Sequence, residues 1–302
     1  METTQKLLKT IQMKEMTQEK NNPTQYDMRE LQLRSVPILQ AIDNVCRQHG
    51  LRYYMIYGTL LGAVRHGGFI PWDDDMDIGL LRDDYNQLME HGNEWLPEPF
   101  HIVNYQNNEE YPKYFAKVED TSTTLIENFA LGYVGGIYID IFPLDSVPNN
   151  RFLRTIQHYR FNICKRLLYL SYRNPYKHGH GPSSWAPLLV QKLFKRAQLH
   201  RLVQRVEYWW EGRSHCDYLT TYDDGLRVFP RHIFEEPVRM KFEGVEANAP
   251  ADSKAFLQIM YGDDYMTPPP EGKRLSHRHD YCDFDTPYAD YIFSQSTNIS
   301  KS

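Results

Sequence analysis

The sequence predicts an α+β fold, in which a mixed β-sheet flanked by helices is followed by a helical, basic second half. Short segments rich in aromatic and β-branched residues predict the strands, because such side chains suit a half-buried pleated surface. Apolar residues at three- and four-residue spacing predict the helices, and this spacing dominates beyond residue 150. We expect three segments: a mobile N-terminal segment at 1–25, a core at 26–150 and a mainly helical region at 151–302.

The composition is that of a globular protein. The chain has 302 residues, of which 41% are hydrophobic and 14% aromatic, and its formal net charge is −5. This apolar content can bury a core, and no run approaches the roughly 18 apolar residues of a membrane span. The first twenty residues contain no apolar stretch typical of a secretory signal, so we expect a cytoplasmic protein. The four cysteines lie far apart, which disfavours a zinc site or a disulfide framework.

The predicted elements of the first half follow from local pattern. In chain order they are a helix at 28–49, a strand at 52–57, a helical turn at 60–64, a strand at 75–81, a helix from 82, and strands at 113–119 and 136–142. Gly50 supplies a helix stop, and Pro37 is expected to kink or split the first helix. Pro143 is expected to end the last strand, and Asp145 to cap the turn that follows.

The second half reads as helical until its last quarter. Helices are expected at 152–170 and 188–210, with a loop at 174–187 between them because that stretch is rich in His, Gly, Pro and Ser. A further helix is expected at 253–261, before a run of prolines. The sequence has no internal repeat.

Four carboxylates within five residues form the densest chemical feature of the chain; they are Asp73, Asp74, Asp75 and Asp77. Alternate residues of a strand point to the same face, so Asp73, Asp75 and Asp77 are expected to share one side. Like charges at this spacing repel, and a hard divalent cation such as Mg²⁺ or Mn²⁺ is their usual partner. The alternative is a solvated acidic turn, which the flanking apolar residues Trp72 and Met76 disfavour.

Two common phosphate or metal motifs do not fit this segment. An EF-hand loop that starts at Asp73 needs Gly where Ile78 stands and Glu where Asp84 stands. A Walker A loop needs Lys where Gly68 stands. Both are therefore excluded.

A third arrangement fits: Gly-[Ser/Thr], a helical turn, and then Asp-x-Asp on the next strand, as in the nucleotidyltransferase fold. Gly58-Thr59 and Asp75-Met-Asp77 satisfy it. Gly58 lets the backbone approach a phosphate, and Thr59 offers a hydroxyl and an amide at a helix N-terminus. That fold usually takes a third carboxylate from a later strand. Asp140 is the expected donor, because a lone acid in an apolar strand is costly unless it ligates or pairs.

The segments GTLLGAVRHGGFIPWDDDMDIG at 58–79 and GGIYIDIFPLD at 135–145 resemble the LicD family, to which fukutin-type transferases are related. Later pieces agree with it, namely Phe242-Glu-Gly, Tyr261-Gly-Asp-Asp-Tyr-Met, the prolines at 268–270 and Lys273-Arg-Leu-Ser-His277. The likeness covers roughly residues 28–280. It implies a nucleotidyltransferase-like fold and transfer of a phosphorylated alcohol, typically phosphocholine from CDP-choline. The implied acceptor is a cell-surface glycan, such as lipopolysaccharide or teichoic acid, or its lipid-linked precursor.

By this resemblance, residues 26–150 form the catalytic core and residues 151–302 complete the site. Asp75 and Asp77 match the metal-binding pair for Mg²⁺ or Mn²⁺, Asp140 stands where the third ligand is expected, and Asp73 accompanies them. The metal would neutralise phosphate oxygens, and Asp140 or Asp73 would act as the general base. Two other functions stay open: transfer of a nucleotidyl or sugar-phosphate group on the same fold, and binding of a nucleotide or glycan without turnover.

Further polar residues are candidates by their position near these segments. Contacts to the donor phosphates are expected from Gly58, Thr59, Arg65 and Lys117, and contacts to a substrate from Arg274 and His277. Solvated surface positions are the alternative for Arg65, Arg274 and His277.

Residues 151–215 carry thirteen Lys and Arg but only two acids, Glu207 and Glu211. A solvated helical face is one interpretation of this charge. A peripheral contact with an anionic acceptor or with anionic lipid is a second, because tryptophans accompany the basic residues. Nucleic acid is not expected as a partner, since no recognised binding motif accompanies the charge.

Overall fold

The computed structural model describes residues 26–176, 181–212, 216–223, 225–274 and 279–293. Their α-helices include α1 Met28–His49, α2 Tyr57–His66, α3 Arg82–Trp95, α4 Arg151–Tyr172, α5 Pro182–Leu193, α6 Arg196–Glu207 and α7 Ser253–Tyr261, and residues 288–293 are helical as well. The strands are β1 Tyr53–Met55, β2 Asp77–Leu81, β3 Phe100–Val103, β4 Ala116–Ile126, β5 Gly135–Val147, β6 Tyr218–Thr220, β7 Phe229–Pro230, β8 Val238–Phe242, β9 Val245–Ala249 and β10 Tyr281–Asp283.

Eight of these strands form one mixed sheet, with β1, β2, β5, β4 and β10 as neighbours in that order. The central pair, β2 and β5, is parallel, whereas the other pairs are antiparallel. β3 also pairs with β4, and β6 and β7 extend the sheet from the far end of β5. β8 and β9 form a separate hairpin. The predicted α+β fold with a mixed sheet is confirmed.

The helix α1 shows how local signals set the element boundaries. Asp27 caps its N-terminus, accepting hydrogen bonds from the amides of Arg29 and Glu30. Gly50 ends it in the left-handed conformation, at a φ of 69° that favours glycine. The helix continues through Pro37, so the predicted split does not occur, and the kink predicted as the alternative stays a prediction. Its apolar face packs into the main core beneath the sheet.

Several predicted boundaries are wrong. The first strand is shorter than 52–57, because α2 already begins at Tyr57, and the second starts at Asp77 rather than at residue 75. The strand predicted at 113–119 runs instead over Ala116–Ile126. The helix predicted at 188–210 is two helices, α5 and α6, and α5 begins inside the predicted loop at Pro182, where proline suits the first helical turn. Helices α4 and α7 lie where the sequence predicts them.

Strand β5 does not end at Pro143 but continues to Val147. It pairs with β4 up to Ile141 and with β6 from Asp145 onward. Pro143 therefore lies in the gap between these two partners, where its missing N–H interrupts neither ladder.

Asp145 does not cap a turn. Its carboxylate is fully buried and accepts two hydrogen bonds from Arg82 at the start of α3, at 2.6 and 2.7 Å. The same guanidinium reaches Glu207 of α6 at 3.2 Å. This buried ion pair network joins the sheet to the helical second half.

No helix in the described part of the chain combines the length and the apolarity that a bilayer crossing requires.

Candidate active site

The parallel pair β2 and β5 brings two predicted ligands side by side. Asp77, the first residue of β2, is the register partner of Asp140, near the middle of β5. The amide of Asp140 also donates to the carbonyl of Met76 at 2.9 Å. Because parallel register partners place their side chains on the same face of the sheet, the two carboxylates share one environment.

The pKa values of both carboxylates are raised, as is usual for acids that are close together and removed from water. Burial, together with the charges of Asp75 and Asp140, raises the pKa of Asp77 well above its usual range. Burial, with the charge of Glu127 added and that of Lys117 opposing, raises the pKa of Asp140 to about 7. In the absence of a bound cation, ionising these acids together is therefore unfavourable.

The start of α2 holds Asp77 in place. Thr59 is buried, and its hydroxyl accepts a hydrogen bond from the amide of Asp77 at 2.8 Å. Gly58, one residue earlier, lies against the Asp73 carboxylate, and a Cβ atom at Gly58 would collide with that group. Tyr57, just before, has a φ of 49°, which costs energy for a non-glycine residue, and its hydroxyl hydrogen-bonds to that of Thr221. The predicted Gly-Thr turn is thus packed directly against the acidic segment.

Asp73, Asp74 and Asp75 lie in the turn before β2 rather than on the strand, so the predicted shared strand face is wrong. The turn nevertheless brings them together: one carboxylate oxygen from each lies within 4.8 Å of the other two. Burial and the charges of Asp75 and Asp74 raise the pKa of Asp73 to about 8. The side chain of Gln32 on α1 fixes the turn, donating to the carbonyl of Asp73 at 2.8 Å.

A layer of alternating charges lies behind Asp140. Lys117 on β4 is fully buried, and its Nζ lies 2.5 Å from Glu127 Oε1 and 3.2 Å from Asp140 Oδ1. It also sits 2.9 Å from the ring centroid of Tyr138. Lys113 binds the other oxygen of Glu127 at 2.8 Å. Burial alone would raise the pKa of Glu127, but the two ammonium groups hold it well below its usual range.

This layer bears on the role predicted for Lys117. Its ammonium is engaged on three sides by Glu127, Asp140 and Tyr138, so the geometry favours charge balance for the carboxylates over a contact with an incoming phosphate. Lys113 also binds Glu127 but is more exposed than Lys117, so it is the better placed of the two lysines to contact an anionic ligand.

The two predicted arginines reach the acidic turn from different elements. Arg65, in the last turn of α2, donates to the carbonyl of Tyr265 at 2.9 Å, and its charge acts on Asp73. Burial lowers the pKa of Arg65. Arg274 lies with its guanidinium carbon 4.3 Å above the ring of Trp72, the residue before Asp73. His277 lies outside the described residues.

Sequence reasoning missed His279. Its ring contacts the turn and the sheet together: Nδ1 lies 3.6 Å from Asp74 Oδ2, and Nε2 lies 3.2 Å from the hydroxyl of Tyr138. Burial lowers the pKa of His279 to about 4. Its signal in the sequence is faint, because it is one of two histidines in a short basic stretch.

Asp223, from the loop after β6, was missed as well. Its Oδ1 accepts hydrogen bonds from the hydroxyl of Tyr114 at 2.9 Å and from Lys165 of α4 at 2.6 Å. Its negative charge contributes to the raised pKa of Asp77. The second half of the chain therefore supplies a carboxylate close to the core site.

The residues present fit a hard divalent cation. Carboxylate oxygens are the ligands that Mg²⁺ and Mn²⁺ prefer. Among the described residues, Asp73, Asp74 and Asp75 offer carboxylate oxygens within 4.8 Å of one another, and Asp77 and Asp140 are register partners on the adjacent strands β2 and β5. Oδ1 of Asp140 is buried and accepts no hydrogen bond within the described part of the chain, although Lys117 is near. The Lys117 ammonium offsets part of the charge of this oxygen, and the negative charges of Asp75 and Asp77 are what a divalent cation would offset in addition.

Part of this chain matches a known protein family, and most of it is similar to a characterised enzyme. Residues 50–170 match the model of the LicD/FKTN/FKRP nucleotidyltransferase domain, a range that includes Gly58, Thr59, the acidic turn and Asp140. The lipopolysaccharide cholinephosphotransferase LicD of Haemophilus influenzae is 29% identical over 267 residues, covering 83% of this chain and 95% of that protein.

Shorter matches fall on two other kinds of protein. The human ribitol 5-phosphate transferase FKRP is 54% identical over 35 residues, 12% of this chain and 7% of that protein. An uncharacterised Rickettsia prowazekii protein is 49% identical over 53 residues, 18% of this chain and 20% of that protein. The resemblance that the sequence motifs indicate is thus confirmed: residues 50–170 match the LicD/FKTN/FKRP nucleotidyltransferase domain, and the likeness to LicD extends over most of the chain.

Proposed function

We propose that this protein transfers a phosphorylated alcohol from a nucleoside diphospho-alcohol, such as CDP-choline, to a hydroxyl of a cell-surface glycan or its lipid-linked precursor. The protein is a transferase of a phosphate-containing group, as its likeness to the Haemophilus cholinephosphotransferase supports. The observation that carries the proposal is the convergence of Asp77 and Asp140 in register on parallel strands, beside the acidic turn and the Gly58-Thr59 helix start.

In the proposed reaction, the acceptor oxygen forms a bond to the phosphorus that carries the alcohol. The bond from that phosphorus to the bridging oxygen breaks, and CMP leaves when CDP-choline is the donor. The hydroxyl proton passes to Asp140 or Asp73. A positioned base of this kind typically contributes 10²–10⁴-fold to the rate.

Asp75, Asp77 and Asp140 are the residues that would hold Mg²⁺ or Mn²⁺, which when bound neutralises phosphate charge and stabilises the leaving group. Thr59 orients Asp77 through the hydrogen bond to its amide. Lys117 and Glu127 balance the charge behind Asp140, so that this carboxylate stays in place before the donor arrives.

The donor phosphates are proposed to lie between the start of α2 and the acidic turn. The N-terminus of a helix favours an anion, and because the Asp73 carboxylate lies against Gly58, a bound phosphate requires that side chain to turn away. Arg65 and Lys113 supply positive charge at the two sides of the carboxylates. Contacts of Arg274 and His277 with a substrate remain predictions.

Product analysis tests the proposal. The purified protein is incubated with Mg²⁺, CDP-choline, CDP-ribitol or CDP-glycerol, and a panel of bacterial surface glycans, and the products are identified by mass spectrometry. The proposal predicts release of CMP together with a glycan that carries the phosphorylated alcohol. Release of phosphocholine with a nucleotidylated glycan, or pyrophosphate release from CTP, would instead indicate nucleotidyl transfer.

Two variants make the test specific to the site. Asp140→Asn is expected to lose transfer, whereas Asp83→Asn removes the same charge at an exposed position of α3 and is expected to leave transfer unchanged. Specific donor binding without any product, seen as a shift of the thermal midpoint by all three nucleotides, would favour the non-catalytic alternative.

A further inference from the structure

Helix α5 exposes an apolar face to solvent. Ser184, Pro187 and Val190 are buried against the rest of the protein. Trp185, Leu189 and Leu193 stand on the opposite side, and between 58% and 69% of each residue is exposed. A soluble helix normally places polar residues on its outer side, so this face is unusual.

Helix α4 carries a second stripe of exposed apolar residues. Phe152, Tyr159 and Ile163 lie on one side of the helix, at seven- and four-residue steps, and are between 60% and 72% exposed. Helix α5 packs on the C-terminal end of α4, where Gln191 donates to the carbonyls of Leu170 and Arg173. We call these six exposed residues of α4 and α5 the apolar surface.

Exposed basic side chains accompany the apolar surface on the same helices and on α6. They are Arg151, Arg160, Arg166, Lys192, Lys195, Arg201 and Arg205, and none of them makes an ion pair with another described residue. The two acids of this region point inward: Glu207 is buried against Arg82, and Glu211 accepts hydrogen bonds from Ser146. The exposed charge of these helices is therefore entirely positive.

We propose that the apolar surface and its basic residues dock the protein on the face of a membrane that contains anionic lipid. Exposed Trp and Leu side chains enter the boundary between headgroups and acyl chains, while Lys and Arg bind the anionic headgroups around them. The proposal is independent of the transferase chemistry, so either can fail while the other holds.

The charge of this region argues against other occupants. In a two-fold dimer formed through the apolar surface, the basic residues of one copy would face those of the other, and these like charges would repel each other. Nucleic acid would satisfy the positive charge, but it would leave Trp185, Leu189 and Leu193 without an apolar partner. The surface of an anionic bilayer offers negative charge to the basic residues and an apolar interior to the exposed Trp and Leu side chains.

Vesicle co-sedimentation of the full chain tests the proposal. Vesicles of equal parts phosphatidylglycerol and phosphatidylcholine are compared with vesicles of phosphatidylcholine alone, at low and high salt. We expect binding to the anionic vesicles that weakens with salt. The double variant Lys192→Glu with Lys195→Glu should weaken it by about tenfold or more, because it reverses two of the charges that attract anionic headgroups. Lys241→Glu with Lys254→Glu, exposed on other elements, is the matched control and should not change binding.

The apolar part is tested with Trp185→Ser, Leu189→Ser and Leu193→Ser in one chain. Because these side chains are exposed, the thermal midpoint should not fall, while vesicle binding is lost. Leu33→Ser with Val238→Ser removes exposed apolar residues elsewhere and should bind as the unaltered protein does.

A second measurement reports on Trp185 itself. Phospholipids brominated on their acyl chains should quench the tryptophan fluorescence of the bound protein, and Trp185→Phe should remove most of that quenching. The proposal is overturned by binding that is equal on neutral and anionic vesicles, by binding that the triple serine variant retains, or by dimerisation in sedimentation analysis that the same variant abolishes.

Discussion

Asp77→Asn is expected to stabilise the metal-free protein while it abolishes transfer. Asp77 and Asp140 are register partners on neighbouring strands; Asp140 is buried and Asp77 is half-buried. Strands lie about 4.8 Å apart, and two charges about 5 Å apart repel by about 3 kcal/mol at an effective dielectric constant of about 20. Protonation already relieves part of this repulsion, because the pKa of each acid is raised. We therefore expect a gain of about 1–3 kcal/mol in the free energy of unfolding.

The stability that Asp77→Asn gains should increase as the pH rises. An acid whose pKa is raised by folding contributes most stability below its unfolded pKa and loses it as the pH rises through the folded value. The raised pKa of Asp77 therefore penalises the unaltered protein at high pH, and Asp77→Asn removes that penalty. The difference between the two proteins should be small near pH 4 and should grow up to pH 8.

Urea denaturation in the presence of a chelator measures this, with Asp83→Asn as the control for loss of an exposed negative charge. Added Mg²⁺ should stabilise the unaltered protein, by about 2.7 kcal/mol at a hundred times the dissociation constant, and should leave Asp77→Asn unchanged. The reasoning is refuted if the chelated variant is less stable than the unaltered protein at pH 8, or if it transfers at the full rate.

Three other predictions concern the groups around the site. Thr59→Val should cost about 1–3 kcal/mol of stability and reduce transfer, because it leaves the amide of Asp77 without an acceptor. Thr59→Ser should retain both the stability and the transfer rate. Urea denaturation and initial rates of transfer measure these effects. Arg82→Met should lower the free energy of unfolding by about 3–5 kcal/mol, because it leaves Asp145 and Glu207 buried without their cation, and a loss below 1 kcal/mol would contradict this. Burial, with Arg82 opposing and Asp145 adding, raises the pKa of Glu207 to about 8, so its contribution to stability should be full below about pH 4.5 and lost as the pH rises through 8. Glu207→Gln should remove that decline from the stability profile measured between pH 4 and 9, and an unchanged profile would show that the decline has another origin.

The parts of the site that local pattern predicted are those with strong chemical signals. A lone aspartate in an apolar strand identified Asp140, and the Gly-Thr turn before an Asp-x-Asp segment identified Asp77 and its neighbours. The structure brings these residues together because β2 and β5 are adjacent and parallel. Strands β2 and β5 are far apart in the chain, so local pattern does not predict that they pair; the strand order of the sheet makes them neighbours.

The parts that were missed depend on long-range contacts that leave no local signal. Asp145 is 63 residues from Arg82, and a carboxylate just past a proline looks like a turn residue until its partner is known. His279 and Asp223 reach the site from segments far along the chain. Lys117 was predicted as a contact to the donor phosphate, which stays a prediction. Its ion pair with Glu127 was missed, because Glu127 carried no chemical signal of its own.

The central claim is that the acidic side chains of the turn, β2 and β5 converge on one divalent cation. Electron paramagnetic resonance of Mn²⁺ titrated into the chelator-stripped protein tests it without any need for turnover. We predict that the unaltered protein and Asp83→Asn bind Mn²⁺ alike, and that Asp77→Asn and Asp140→Asn each lose that binding while remaining folded. Equal Mn²⁺ binding by all four proteins, or none by the unaltered protein with or without a CDP-alcohol, would contradict it.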